Sequence, residues 1–203
     1  MDLSLIQESI SNICTSIFDL LHKYAAAGLS KGDNFDLVMA GFKCMSVIVR
    51  DVKHYVIKTD QLKALIMYAE QDMHNTDKQA TAFGLLKAII ARKMILPEMH
   101  LVMEKVAILS ITSELEHVRL QSRSVFYSYL MEYPLGKHLN KHIAFYLTQV
   151  SYEMQPGRLS ALEMIHNIVT GFPFVSTFIF SYFFSFFFFF FTNYKKKNQS
   201  IYL

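Results

Sequence analysis

"TDKQATAFGLLKAIIARK", residues 76–93, places Ala82, Leu85, Leu86 and Ile89 at i, i+3, i+4 and i+7. That spacing puts four apolar side chains on one face of a 3.6-residue-per-turn helix, with polar residues on the other. The same periodicity recurs on both sides of this stretch. Val118, Ser122, Val125, Phe126 and Tyr129 repeat it, as do Ala161, Ile165, Ile168, Val169 and Phe172. No alternating apolar and polar run bounded by hairpin turns competes with it, so the chain reads as all-α.

Glycine and proline are scarce, and they punctuate the pattern. Thr76 with Gln79, and Ser113 with Glu116, have the spacing of reciprocal capping boxes. Pro97 suits a first helical position, where its missing N–H costs nothing. Gly28 suits a left-handed helix end, Asp33 a cap, and "YPLG" at 133–136 breaks the chain again. These signals divide the chain into four antiparallel helix pairs: 3–28 with 33–53, 59–73 with 76–94, 97–112 with 114–133, and 136–154 with 157–172. Second helices beginning near 33, 76, 114 and 157 match the period of HEAT and armadillo units, about 40–47 residues. Each pair has an apolar face that it cannot bury alone, so an α-solenoid is expected rather than a closed bundle. The stripe Leu3, Ile6, Ile10, Ile13 and Ile17 is already amphipathic at the first residues, which suggests a larger parent.

Of the 203 residues, 52% are hydrophobic and 18% charged, enough for an ordered core. The net charge of +3 is local. Lys195, Lys196 and Lys197 supply three of the 20 basic residues, and without them 17 basic residues face 17 acidic ones. A dedicated nucleic-acid binder carries a basic excess, because neutralising phosphates drives its affinity. A local patch inside a neutral total remains open. Cys14 and Cys44, both in apolar helical patterns, read as buried free thiols rather than a disulfide framework or zinc cluster. "MDLSLIQESISN" lacks the basic start and apolar core of a secretory signal.

No nucleophile elbow, phosphate loop, dinucleotide fingerprint or zinc-protease motif occurs, so neither an enzyme nor a cofactor or small-molecule substrate is expected. His138 and His142 in "KHLNKH" have a ligand-compatible i, i+4 spacing, but nothing adjoining completes a metal shell. They read as exposed histidines between lysines. Lys137, His138, Lys141 and His142, joined by Arg158 from the next helix, form a candidate basic face that touches phosphate or is simply solvated. Arg119 and Arg123 face a partner or pair with Glu116.

Several longer strings are more specific: "HKYAAAGLSKGDNFDLVM" (22–39), "VIVRDVKHY" (47–55), "QATAFGLLKAIIARK" (79–93), "PEMH" (97–100), "EHVR" (116–119), "YPLGKHLNKH" (133–142) and "ALEMIH" (161–166). Together they resemble a C-terminal portion of the HEAT-repeat component-20 family of the small-subunit processome, the down-regulated-in-metastasis family. The likeness runs to about Pro173. It implies a nucleolar scaffold acting in pre-18S ribosomal RNA processing and small-subunit assembly. The implied partners are other processome proteins, pre-ribosomal RNA and a small nucleolar ribonucleoprotein, reached through the full-length protein. The family offers no catalytic residues to carry over.

The likeness stops before "VSTFIFSYFFSFFFFFFTNYKKKN" (175–198). The run 172–191 has the length and following lysines of a membrane anchor, which would make the chain a tail-anchored adaptor whose repeats bind a cytosolic partner. Its composition points elsewhere. Phe and Ser are encodable by pyrimidines alone, every valine codon begins with GT, and "TNYKKKNQSIY" is rich in A/T-codon residues. Residues 1–173 are therefore expected to be the solenoid, and 174–203 a translated intron or gene-model artefact.

Overall fold

The computed structural model describes residues 3–26 and 34–171. Among them eight helices follow one another with no strand: α1 (Leu3–Ala26), α2 (Phe35–Asp51), α3 (Thr59–Asp72), α4 (Gln79–Arg92), α5 (Pro97–Thr112), α6 (Glu116–Glu132), α7 (His138–Gln149) and α8 (Gln155–Gly171). Gly28, Asp33, Phe172 and the Phe-rich tail lie outside the described residues.

The helices pack as α1 on α2, α3 on α4, α5 on α6 and α7 on α8. The second helices then contact each other in succession, α2 to α4 to α6 to α8, forming one layer. In the other layer α3 packs on α5, and Glu104 of α5 pairs with Lys141 of α7 at 2.5 Å. The Tyr68 hydroxyl meets His22 Nδ1 at 2.9 Å, tying α1 to α3. Most inter-pair contacts join side chains about one repeat apart: Lys63 with Glu98, Glu70 with Lys105, Lys87 with Ser124, and Ser110 with Tyr146. A stack makes such contacts between neighbours, and α1 and α8 have no comparable packing.

The apolar stripes become the core. Ala82, Leu85, Leu86 and Ile89 are buried, as are Val118, Val125, Phe126 and Tyr129, and Ala161, Ile165 and Ile168. Burying a large apolar side chain contributes about 1.5–3 kcal/mol, which makes these faces the main source of stability. Met45, Met73, Met99, Met103 and Met164 are fully buried among them. α8 approaches closely at Gly157, where an added Cβ would stand 2.8 Å from the Ile111 carbonyl oxygen. Gly136 takes φ +52 in the turn before α7, as a glycine can without strain.

Four local expectations are corrected. In α1 the inward stripe is Cys14, Phe18 and Leu21, while Ile10 and Ile13 are exposed. Cys44 is exposed, because α2 turns Met45, Ile48 and Val49 inward instead. The Thr76–Gln79 capping box does not form: α4 starts at Gln79, whose Nε2 donates to the Met73 carbonyl at 2.7 Å. Nor does Ser113 cap α6, since the helix starts after Leu115 and has no side-chain cap. Pro97 does occupy the first turn of α5.

Candidate functional site

Antiparallel pairing sorts the connections to two edges. Connections between pairs (52–58, 93–96 and 133–137) share one edge, and those within pairs (73–78, 113–115 and 150–154) share the other. The first edge is stitched together. Arg92 donates to the Val52 carbonyl at 3.2 Å and the Tyr55 carbonyl at 2.7 Å. Tyr133 accepts from the Leu96 N–H at 3.0 Å and donates to the Met94 carbonyl at 2.7 Å. His100 then stacks on His138 with ring centroids 4.2 Å apart. Successive loops are therefore side by side.

The anticipated basic face divides. Lys137 precedes α7 and is exposed, while Lys141 is exposed and paired with Glu104. His138 is half-buried against His100. His142 is not exposed: 2% of it reaches solvent, between the edges of Phe126 and Tyr129. The physical reason is helical register. Leu135, Leu139, His142 and Tyr146 form the inward stripe of this segment, and His142 falls on it whatever its lysine neighbours.

Burial sets the chemistry of this cluster. His142 Nε2 is sealed from solvent with no hydrogen-bond partner among the described residues. Desolvation pushes its pKa down to about 4, against a raising influence of Glu104 and with smaller lowering ones from His138, Lys141 and His100. His100, bonded through Nδ1 to the Tyr129 hydroxyl, is lowered by burial and then by His138. His142 and His100 are therefore neutral structural side chains at pH 7. Among the described residues no group of three or more His, Cys, Asp or Glu side chains is arranged to hold a metal.

The three arginines lie elsewhere. Arg158 begins α8, and because α7 and α8 are antiparallel it stands at the opposite edge from Lys137. Its guanidinium donates to the Tyr152 and Glu153 carbonyls at 3.0 and 2.8 Å. Arg119 does the same with Ser113 and Glu114 at 2.8 and 2.9 Å, rather than pairing with Glu116. Arg123 is buried, donating to Ser160 Oγ at 2.7 Å and pairing with Glu163 of α8. Sequence reasoning missed this internal work, which was signalled by Arg123 adjoining the buried Ser122 on the α6 stripe.

No helix among the described residues is long and apolar enough to cross a membrane. No family model matches the chain. Over 144 residues it is 33% identical to U3 small nucleolar RNA-associated protein 20 of Schizosaccharomyces pombe. Over 143 residues it is 29% identical to the protein of that name from Saccharomyces cerevisiae. The matches cover 70% of this chain and 6% of each relative. The chain is homologous to a short segment of these proteins.

Proposed function

We propose, from its homology to a segment of the U3 small nucleolar RNA-associated protein 20 family, that this chain is a non-enzymatic scaffold segment of the small-subunit processome. In that role it acts in the nucleolus, in pre-18S ribosomal RNA processing and small-subunit assembly. It holds other processome proteins, pre-ribosomal RNA and a small nucleolar ribonucleoprotein as part of a much longer protein. The observation that carries the reading is the 144-residue match to a relative with that name. The stacked layers support it, since their faces and edges offer binding area.

Lys137, His138 and Lys141 are the proposed contacts of α7; His142 and Arg123 hold the helices from within, and Arg119 and Arg158 fasten connections at the opposite edge. We further take 1–173 as the working unit and 174–203 as a translated intron or gene-model artefact; spliced transcripts lacking the codons after Phe174 would support that division. The functional reading is tested by expressing the tagged chain in a nucleated cell. Nucleolar accumulation is expected, and an even distribution between nucleus and cytoplasm overturns it.

A further inference from the structure

The two edges differ in charge. On the edge between pairs, Arg50, Lys53, Lys58, Lys93, Lys137 and Lys141 are exposed, spread over all three connections. Arg50 is paired with Asp51 and Lys141 with Glu104, but Lys53, Lys58, Lys93 and Lys137 hold no ion pair among the described residues. On the opposite edge Asp77, Glu114, Glu116 and Glu153 are exposed, while Arg119 and Arg158 are spent on loop carbonyls. Exposed Asp51, Asp60 and Glu132 also lie at the first edge, but its six exposed cations outnumber these three acids. The chain, balanced apart from Lys195, Lys196 and Lys197, thus has a positive and a negative edge.

We propose that the edge formed by connections 52–58, 93–96 and 133–137 is a track for the RNA phosphate backbone, with Lys53, Lys58, Lys93 and Lys137 as its contacts. The naming of RNA as the polyanion rests on the scaffold reading above; the track itself rests on the charge segregation. Packed helices lie about 10 Å apart, so successive loops offer a cation at roughly that interval along the stack. Phosphate binding needs such distributed charge and little shape. A protein partner instead needs a central apolar pocket for its anchor. The apolar grooves open elsewhere, between α1 and α2 around Leu20 and Leu37, and between α4 and α6 around Phe83 and Leu120. Val56 and Ile95, both exposed on the track, stand singly beside its lysines and offer contact to sugars or bases.

The test uses the whole 203-residue chain and a fluorescent single-stranded RNA of mixed sequence, read by anisotropy across salt concentrations. Charge reversal of Lys53, Lys58, Lys93 and Lys137 together to Glu is expected to weaken binding at least tenfold. It should also lower the salt slope by about 0.7 for each lysine reversed. Reversing Lys43 and Lys87, exposed on the second-helix layer, is expected to change binding less than twofold. Equal losses from both sets, or no loss from the first, overturn the track, as does tighter binding of polyglutamate than of RNA of equal charge.

A second measurement needs no variant: bound RNA should slow acetylation of the four lysines in the unaltered chain several-fold, and uniform labelling with and without RNA overturns the proposal. Failure of the two readings is separable. A chain outside the nucleolus whose four lysines still bind RNA keeps the track and loses the scaffold. A nucleolar chain whose RNA binding ignores those lysines does the reverse.

Discussion

Arg158 repeats Arg119. Each is the fourth residue of its helix, and each Nη1 donates to the carbonyls six and five residues upstream. Gln79 does the equivalent in α4, reaching the carbonyl of Met73, six residues before it. A side chain at the start of the second helix thus fastens the connection behind it, in place of a serine or threonine cap. This fixes the angle at which the second helix leaves the first, and therefore how the next pair can stack.

Replacing Arg119 or Arg158 with Ala should each lower stability by about 0.5–1.5 kcal/mol, the net worth of hydrogen bonds to carbonyls that water can partly take over. Urea denaturation reads this directly. Lys should recover only part of the loss, since it lacks the guanidinium's rigid fork. A variant that keeps wild-type stability would show these arginines to be free for other work.

His142 makes the third and fourth pairs acid-sensitive. Its folded pKa of about 4 lies below the ordinary 6.5, so the unfolded chain binds the proton more tightly. The neutral form's contribution is complete above about pH 6.5, declines as pH falls, and is gone near pH 4. Its size is on the order of 3 kcal/mol, with His100 acting in the same direction. Denaturation series between pH 7 and 4 should show that slope. His142→Phe should reduce it to the share that His100 contributes, while costing little at pH 7 because it removes an unpartnered buried nitrogen.

A directed chain of hydrogen bonds crosses the same joint. Arg123 donates to Ser160 Oγ, and Ser160 donates to the Ser110 carbonyl at 2.6 Å. Tyr146 and Ser110 share a bond at 2.8 Å, and Ser110 Oγ donates to the Ala107 carbonyl. Ser160→Ala strands a buried guanidinium N–H and a buried carbonyl, so it should cost about 2–3 kcal/mol. Tyr146→Phe removes one terminal donor and should cost nearer 1 kcal/mol. If thermal unfolding ranks the two the other way, this wiring is wrong.

Much of the fold was legible in the sequence because Ala82, Leu85, Leu86 and Ile89, with Val118, Ser122, Val125, Phe126 and Tyr129 in α6 and Ala161, Ile165 and Ile168 in α8, follow one period and face inward. The boundary of α4 was less legible. Thr76 and Gln79 have the spacing of a capping box, yet Gln79 spends its amide on Met73, and spacing cannot show which acceptor is nearer. His142 was misplaced because its lysine neighbours suggested a wet face, although Leu135, Leu139 and Tyr146 already marked its stripe as inward. The charged edge was hidden for another reason. Its lysines are far apart in the chain, and only the alternation of connections between two edges brings them together.

Gly84 lies in the interior of α4, exposed, with nothing within 4 Å of where a Cβ would stand. Gly84→Ala should therefore raise stability by about 0.5–1 kcal/mol, as reduced chain entropy is gained without a clash. Leu86→Ala, two residues on and fully buried, should cost about 2–5 kcal/mol. Opposite signs in the two denaturation midpoints would confirm the register of this helix.

The central claim is that the chain works as a processome scaffold segment, and RNA retained on it after purification from cells tests that most directly. The tagged chain and a tag-only control would be captured from the same cells, and U3 and pre-18S RNA measured against unrelated abundant RNAs. Several-fold enrichment of U3 and pre-18S sequences is predicted. Recovery no greater than that of the unrelated RNAs would contradict the account.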